Sequence, residues 1–120
     1  MDDLPILDQE TLHRLDEWGG QKLRHQMIRL YLENSPARLD QLDRGIAAEG
    51  DLDDVEMASH SLKASAANVG LMRVSAIAAR VEEAASEGRA PDLPELRERL
   101  TAAAREGETA LRDLLSTGEV

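Results

Sequence analysis

The chain has 120 residues and a mass of 13.2 kDa, enough to close one hydrophobic core but not two. Its only aromatics are Trp18 and Tyr31, so the core must be built from Leu, Ile, Val, Met and many alanines, the material of closely packed helices. Twenty-four acids against fourteen bases leave a net charge of −10, which argues against nucleic acid or an anionic membrane as the main partner.

The absence of cysteine excludes a disulfide framework, an iron–sulfur cluster and a thiolate zinc site. No stretch reaches the length of a bilayer span, and the opening Met1-Asp2-Asp3 lacks the basic and apolar regions of a signal peptide. The expectation is one soluble, cytoplasmic domain over residues 1–120.

Glycines and prolines divide the chain into segments of helical spacing, with no alternating strand pattern. The first segment begins near Asp8, a plausible N-cap, carries Leu12 and Leu15, and stops at Gly19-Gly20. A longer one carries Leu23, Met27, Leu30, Tyr31, Leu39, Leu42 and Ile46 at threes and fours. Pro36 interrupts it. Either Ser35 caps a new helix there, or one bent helix runs on, and the matching apolar phase on both sides favours the bent helix.

The third segment runs from Asp51 to Gly70, a C-cap glycine, and the fourth from about Leu71 to Glu87, ended by Gly88. The last covers about Asp92 to Ser116, with Leu96, Leu100, Leu111 and Leu114 as its apolar positions. Short connections make successive helices antiparallel neighbours. The predicted fold is all-α: an up-down-up-down four-helix bundle with a short extra N-terminal helix.

On a helical wheel of the third segment, Val55, Ala58, Ser59, Leu62, Ala66 and Val69 share the core side. His60 lies about 150° from the centre of that stripe and should point to solvent. Around it at contact spacing are Glu56, Met57, Lys63, Ala64 and Ala67. An exposed methionine and two alanines let another protein approach the imidazole closely, which makes Met57, Ala64 and Ala67 candidate docking residues. The plainer alternative is a surface histidine among good helix formers. His13 and His25 stand in separate segments without a ligand spacing and are read as isolated surface histidines.

The run Ala58-Ser59-His60-Ser61-Leu62-Lys63-Ala64-Ser65-Ala66-Ala67-Asn68-Val69-Gly70 resembles the signature of histidine-containing phosphotransfer (HPt) domains. His60, Leu62, Lys63, Ser65 and Gly70 match that signature, and the resemblance extends over nearly the whole chain, including Val81-Glu82-Glu83-Ala84-Ala85. One departure is Ala64, where the family commonly has Gly; an added methyl bears on how a partner fits.

The resemblance implies that His60 accepts a phosphoryl group from an aspartyl phosphate and passes it to another aspartate. Histidine suits this role because one ring nitrogen is unprotonated over much of the neutral range. Lys63, one turn on, can place its ammonium beside the phosphoryl oxygens. Glu82 stands where relatives with Glu or Gln bond the other imidazole nitrogen; otherwise it is an ordinary solvated glutamate beside Glu83.

No Gly-rich phosphate loop or kinase pattern is present, so autokinase activity is not expected. No cofactor is expected on the chain, and the Mg²⁺ of the reaction belongs to the receiver partner. The implied partners are response-regulator receiver domains and a hybrid sensor histidine kinase, engaged by a monomer. Two readings compete with it. One is a non-catalytic helical module that sequesters a receiver; the other is a metal- or cofactor-bearing bundle, which the lack of inward Glu and His pairs disfavours.

Overall fold

The computed structural model describes residues 3–47 and 50–117; Met1 and Asp2, on which part of the amino-terminal reading rests, lie outside them. Four α-helices follow one another: α1 (Gln9–Ile46), α2 (Leu52–Asn68), α3 (Met72–Ser86) and α4 (Leu93–Thr117), with a 3₁₀ turn at Ala90–Asp92. They form an antiparallel bundle in which α2 packs on both α1 and α3, and α3 on α4. No described helix is long and apolar enough to cross a membrane.

The short N-terminal helix is an arm of α1. Residues 9–19 and 21–46 are joined through Gly20, whose φ of 70° and ψ of −170° break the helical run. Only glycine enters that region without strain, and the space around Gly20 is open, so the break lies in the backbone conformation. Pro36, by contrast, sits inside α1, which continues through it, as the shared apolar phase led us to expect.

That phase conceals two stripes. At about 100° per residue, Ile28, Tyr31, Leu39, Leu42 and Ile46 fall together and face the core. Leu23, Met27 and Leu30 fall on another side, towards α2 and the N-terminal arm. Leu23 and Met27 are half-buried there, and Leu30 is 51% exposed, so the single stripe read from sequence is corrected to two.

The ends of α2 fix its register. Asp51 caps it, its side chain accepting the Asp53 N–H at 2.9 Å, with Asp53 and Asp54 favourably placed in the first turn. At the other end Gly70 has φ 81°, with Leu71 N–H donating to Ala66 O at 2.9 Å and Gly70 N–H to Ala67 O at 3.1 Å. This is the paired bonding of a helix closed by a left-handed glycine. Gly70 O in turn accepts the Asp8 N–H at 2.8 Å, tying the start of the N-terminal arm to the end of α2.

The core holds Val55, Leu62, Val74, Ile77, Val81, Leu93, Leu100 and Leu111, all 1% exposed or less. Leu96 and Leu114 border it, half-buried. Between them Ala58, Ala66, Ala78, Ala84 and Ala85 are buried as well, and small residues of this kind let α2 and α3 come close. Ser75 Oγ donates to the Lys63 carbonyl at 3.0 Å and pins that approach one turn from His60. On the far side Arg97 of α4 makes a two-pronged pair with Asp43 of α1, its Nη2 3.0 Å from Oδ2.

Candidate functional site

The close α2–α3 seam brings together three of the residues singled out from sequence. His60 Nδ1 lies 2.8 Å from Glu82 Oε2, and Lys63 Nζ donates to Glu82 Oε1 at 2.7 Å. One carboxylate, on a different helix, thus holds both the imidazole and the cation. Glu82 gets there because Val74, Ile77 and Val81 turn the apolar face of α3 inward and leave position 82 on the flank nearest α2. Its side chain is 22% exposed, whereas that of His60 is 63% exposed.

Burial pushes the Glu82 carboxyl up. The hydrogen bonds from Lys63 and His60, and the positive charge of both, outweigh that and hold it below its ordinary 4.5. An ionised carboxylate only accepts hydrogen bonds, so Nδ1 of His60 must carry the hydrogen. The free lone pair of a neutral ring then lies on Nε2. A shallow depression lined by Glu56, Met57, Ser61 and Glu82 opens beside the ring.

Beneath His60, Ser59 is buried as expected, and its hydroxyl is satisfied by the Val55 carbonyl at 2.7 Å and the Glu56 carbonyl at 3.1 Å. That local bonding lets a polar residue occupy the core side of α2 without an orphaned group. The imidazole therefore stands on a fully packed helix.

The candidate docking residues divide. Met57 is 63% exposed and Ala64 is exposed, both as read. Ala67 is not clear of neighbours: it is half-covered and lines a cleft with Leu15, Trp18, Leu23 and Met27. The wheel of α2 placed it outside the bundle but had no knowledge of the N-terminal arm, which folds across that end.

His25 needs a second correction. His13 is exposed, but His25 is buried, and its Nε2 finds no partner among the described residues. It lies one turn before Ile28, at the edge of the core stripe of α1. Trp18, which the sequence reading left without a role, is 73% exposed. Its position immediately before Gly19-Gly20 was the available signal.

The family model of the Hpt domain matches residues 26–116. The chain belongs to the Hpt domain family. Membership makes it a phosphotransfer protein of phosphorelay signalling, a class whose members work with receiver domains. No curated protein matches the sequence.

Among solved structures, this Hpt chain resembles histidine-containing phosphotransfer protein B from Pseudomonas aeruginosa PAO1. The TM-score is 0.84 at 23% identity, covering 91% of this chain and 93% of the other. It also resembles a histidine-containing phosphotransfer protein from rice, with a TM-score of 0.81 at 13% identity, covering 92% of this chain and 82% of that one. At such identities the likeness is one of fold, shared by the bacterial and the plant protein.

Proposed function

We propose that His60 is the phosphoryl acceptor of this Hpt domain, taking the group from a receiver aspartate and passing it to another receiver. The observation that carries the reading is the Glu82 carboxylate at Nδ1 of an otherwise exposed imidazole. It selects Nε2 as the nucleophile and stabilises the positive charge that the ring acquires as the new bond forms.

In the forward step the Nε2 lone pair attacks the phosphorus of the aspartyl phosphate in line, forming the N–P bond. The P–O bond to the aspartate breaks and leaves its electrons on the receiver carboxylate, while the Nδ1 hydrogen stays in place. The return step reverses this with a second receiver.

Lys63 supplies the cation for the transferring group. It rests on Glu82, 2.7 Å away, and its flexible stem lets it share its ammonium with phosphoryl oxygens arriving at His60. Met57 and Ala64 form part of the surface on which the receiver sits, and the receiver brings the Mg²⁺ that the reaction uses. The response regulator and the receiver of a hybrid sensor kinase are the two classes of partner this chemistry requires.

The test is phosphate transfer from a panel of phosphorylated receiver domains, with the product assayed for acid-labile, base-stable phosphate. Label on the wild type and none on His60→Gln supports the assignment. Label that persists on His60→Gln overturns it. Tight receiver binding without any label would make the chain a sequestering module instead.

A further inference from the structure

On α2, Ala67 follows His60 by seven residues, about 20° away on the wheel and about 10 Å along the axis. The cleft that Ala67 shares with Leu15, Trp18, Leu23 and Met27 therefore opens on the side of the helix that carries the imidazole. Met57 stands one turn before His60 on the same side. Of the four large apolar residues exposed among those described, Trp18 at 73% and Met57 at 63% are the most open, and they bracket His60.

Exposed indoles of this size are costly in water and are the commonest anchors of protein interfaces. The backbone holds this one in place. Gly20 turns the arm back at φ 70°, and the Asp8 N–H on Gly70 O and Arg73 on the Leu4 carbonyl at 2.8 Å fasten its start.

Resting on the function proposed above, we infer that Trp18 anchors the docked receiver domain, its indole and the apolar cleft beneath it receiving an apolar side chain of the partner. The occupant follows from the chemistry of the site. A receiver must bring its aspartate within bonding distance of Nε2, and a standard interface covers about 800 Å² on each partner. A disc of that area has a radius of about 16 Å, and one centred on His60 reaches beyond Ala67 to the cleft. The partner predicted is thus a receiver whose active-site rim carries an exposed apolar residue on the side facing the arm. A surface used in this way sets which receivers are served, because transfer requires only His60, Lys63 and Glu82 whereas seating requires Trp18.

Trp18 is the sole tryptophan, so its fluorescence reports on the site directly. The probe is the receiver domain from the panel that binds the wild type most tightly, with its own tryptophans replaced by phenylalanine. On complex formation the wild-type emission should shift to the blue and become protected from acrylamide quenching. Trp18→Ala should raise the dissociation constant for that receiver at least 10-fold, about 1.4 kcal/mol. Its labelling by phosphoramidate should stay within twofold of wild type, with an unchanged circular dichroism spectrum, and Trp18→Phe should recover part of the affinity.

Unchanged emission and quenching of the wild-type complex, or unchanged affinity of Trp18→Ala, would overturn the inference. So would a wild-type dimer, seen by sedimentation, that Trp18→Ala abolishes, since the cleft would then be filled by a second copy. A wild type that binds the receiver through Trp18 but takes no phosphate on His60 would sink the transfer function alone and leave the anchor standing.

Discussion

Glu82 on α3 binds the ring of His60 on α2 through Nδ1 at 2.8 Å, although 22 residues separate them in the chain. The second oxygen of the same carboxylate holds Lys63. The site is therefore a cross-helix cluster whose geometry depends on how closely α2 and α3 pack.

Glu82→Ala should leave His60 exposed but unoriented. We expect phosphoramidate labelling to slow by about 10-fold or more, the scale on which carboxylates that orient metal-ligating histidines act. The imidazole ¹⁵N shifts should also move away from the Nδ1–H tautomer. Equal labelling rates and unchanged shifts would reduce Glu82 to a surface ion pair.

Lys63→Ala should slow transfer between this protein and a receiver by roughly 10-fold or more while changing receiver affinity little, because the charge it meets develops on the transferring group. Lys63→Arg should not fully restore the rate, since a planar guanidinium held on Glu82 is less free to move. Parallel losses in affinity and rate would make Lys63 an interface residue only.

The lowered Glu82 carboxyl predicts how acid acts on the fold. Because its folded value lies below the unfolded 4.5, ionised Glu82 stabilises the native state above about pH 4.5. That contribution declines as the pH falls from there through the folded value. Melting temperatures of wild type and Glu82→Gln, measured from pH 7 to pH 3, should differ most at neutral pH and converge in acid. Parallel curves would show that the pair adds nothing to stability.

His60→Gln should melt close to wild type, within about 0.5–1 kcal/mol, because the side chain is exposed and Gln can still donate to Glu82. A large loss would mean that the ring supports the α2–α3 seam rather than standing on it.

Ala64 and Ala67 should now behave differently. Ala64→Arg is tolerated by an exposed helix position, so stability should hold within about 0.5 kcal/mol while receiver transfer falls and phosphoramidate labelling survives. Ala67→Arg must enter the cleft beside Trp18, and should both shift the tryptophan emission and lower the melting temperature. Identical behaviour of the two variants would contradict the half-covered environment of Ala67.

The helices were legible in the sequence because their signals are local. Asp51, Gly70, Gly88 and the phase of Val55, Leu62, Ala66 and Val69 each act within a few residues, and α2 begins and ends where they dictate. The same periodicity turned His60 outward, and the run from His60 to Gly70 carried the family resemblance. For Glu82 the sequence supplied a flanking position and a resemblance, but no distance. Whether its carboxylate reaches one partner, two or none depends on the separation of α2 and α3, which the buried alanines of both helices set jointly.

Two other differences, at Ala67 and at the Leu23–Met27 stripe, have their source in the N-terminal arm. A helical wheel describes one straight helix against an unspecified core, so it could not see the arm that Gly20 folds back at the end of α2. That fold half-covers Ala67 and gives the Leu23–Met27 stripe a separate wall to form. Sequence alone determined the core stripe of α2 and turned His60 outward from it. The tertiary structure decided which outward residues share a surface, because contact between residues distant in the chain is set by packing at the α1–α2 and α2–α3 seams and by the backbone angles of one glycine.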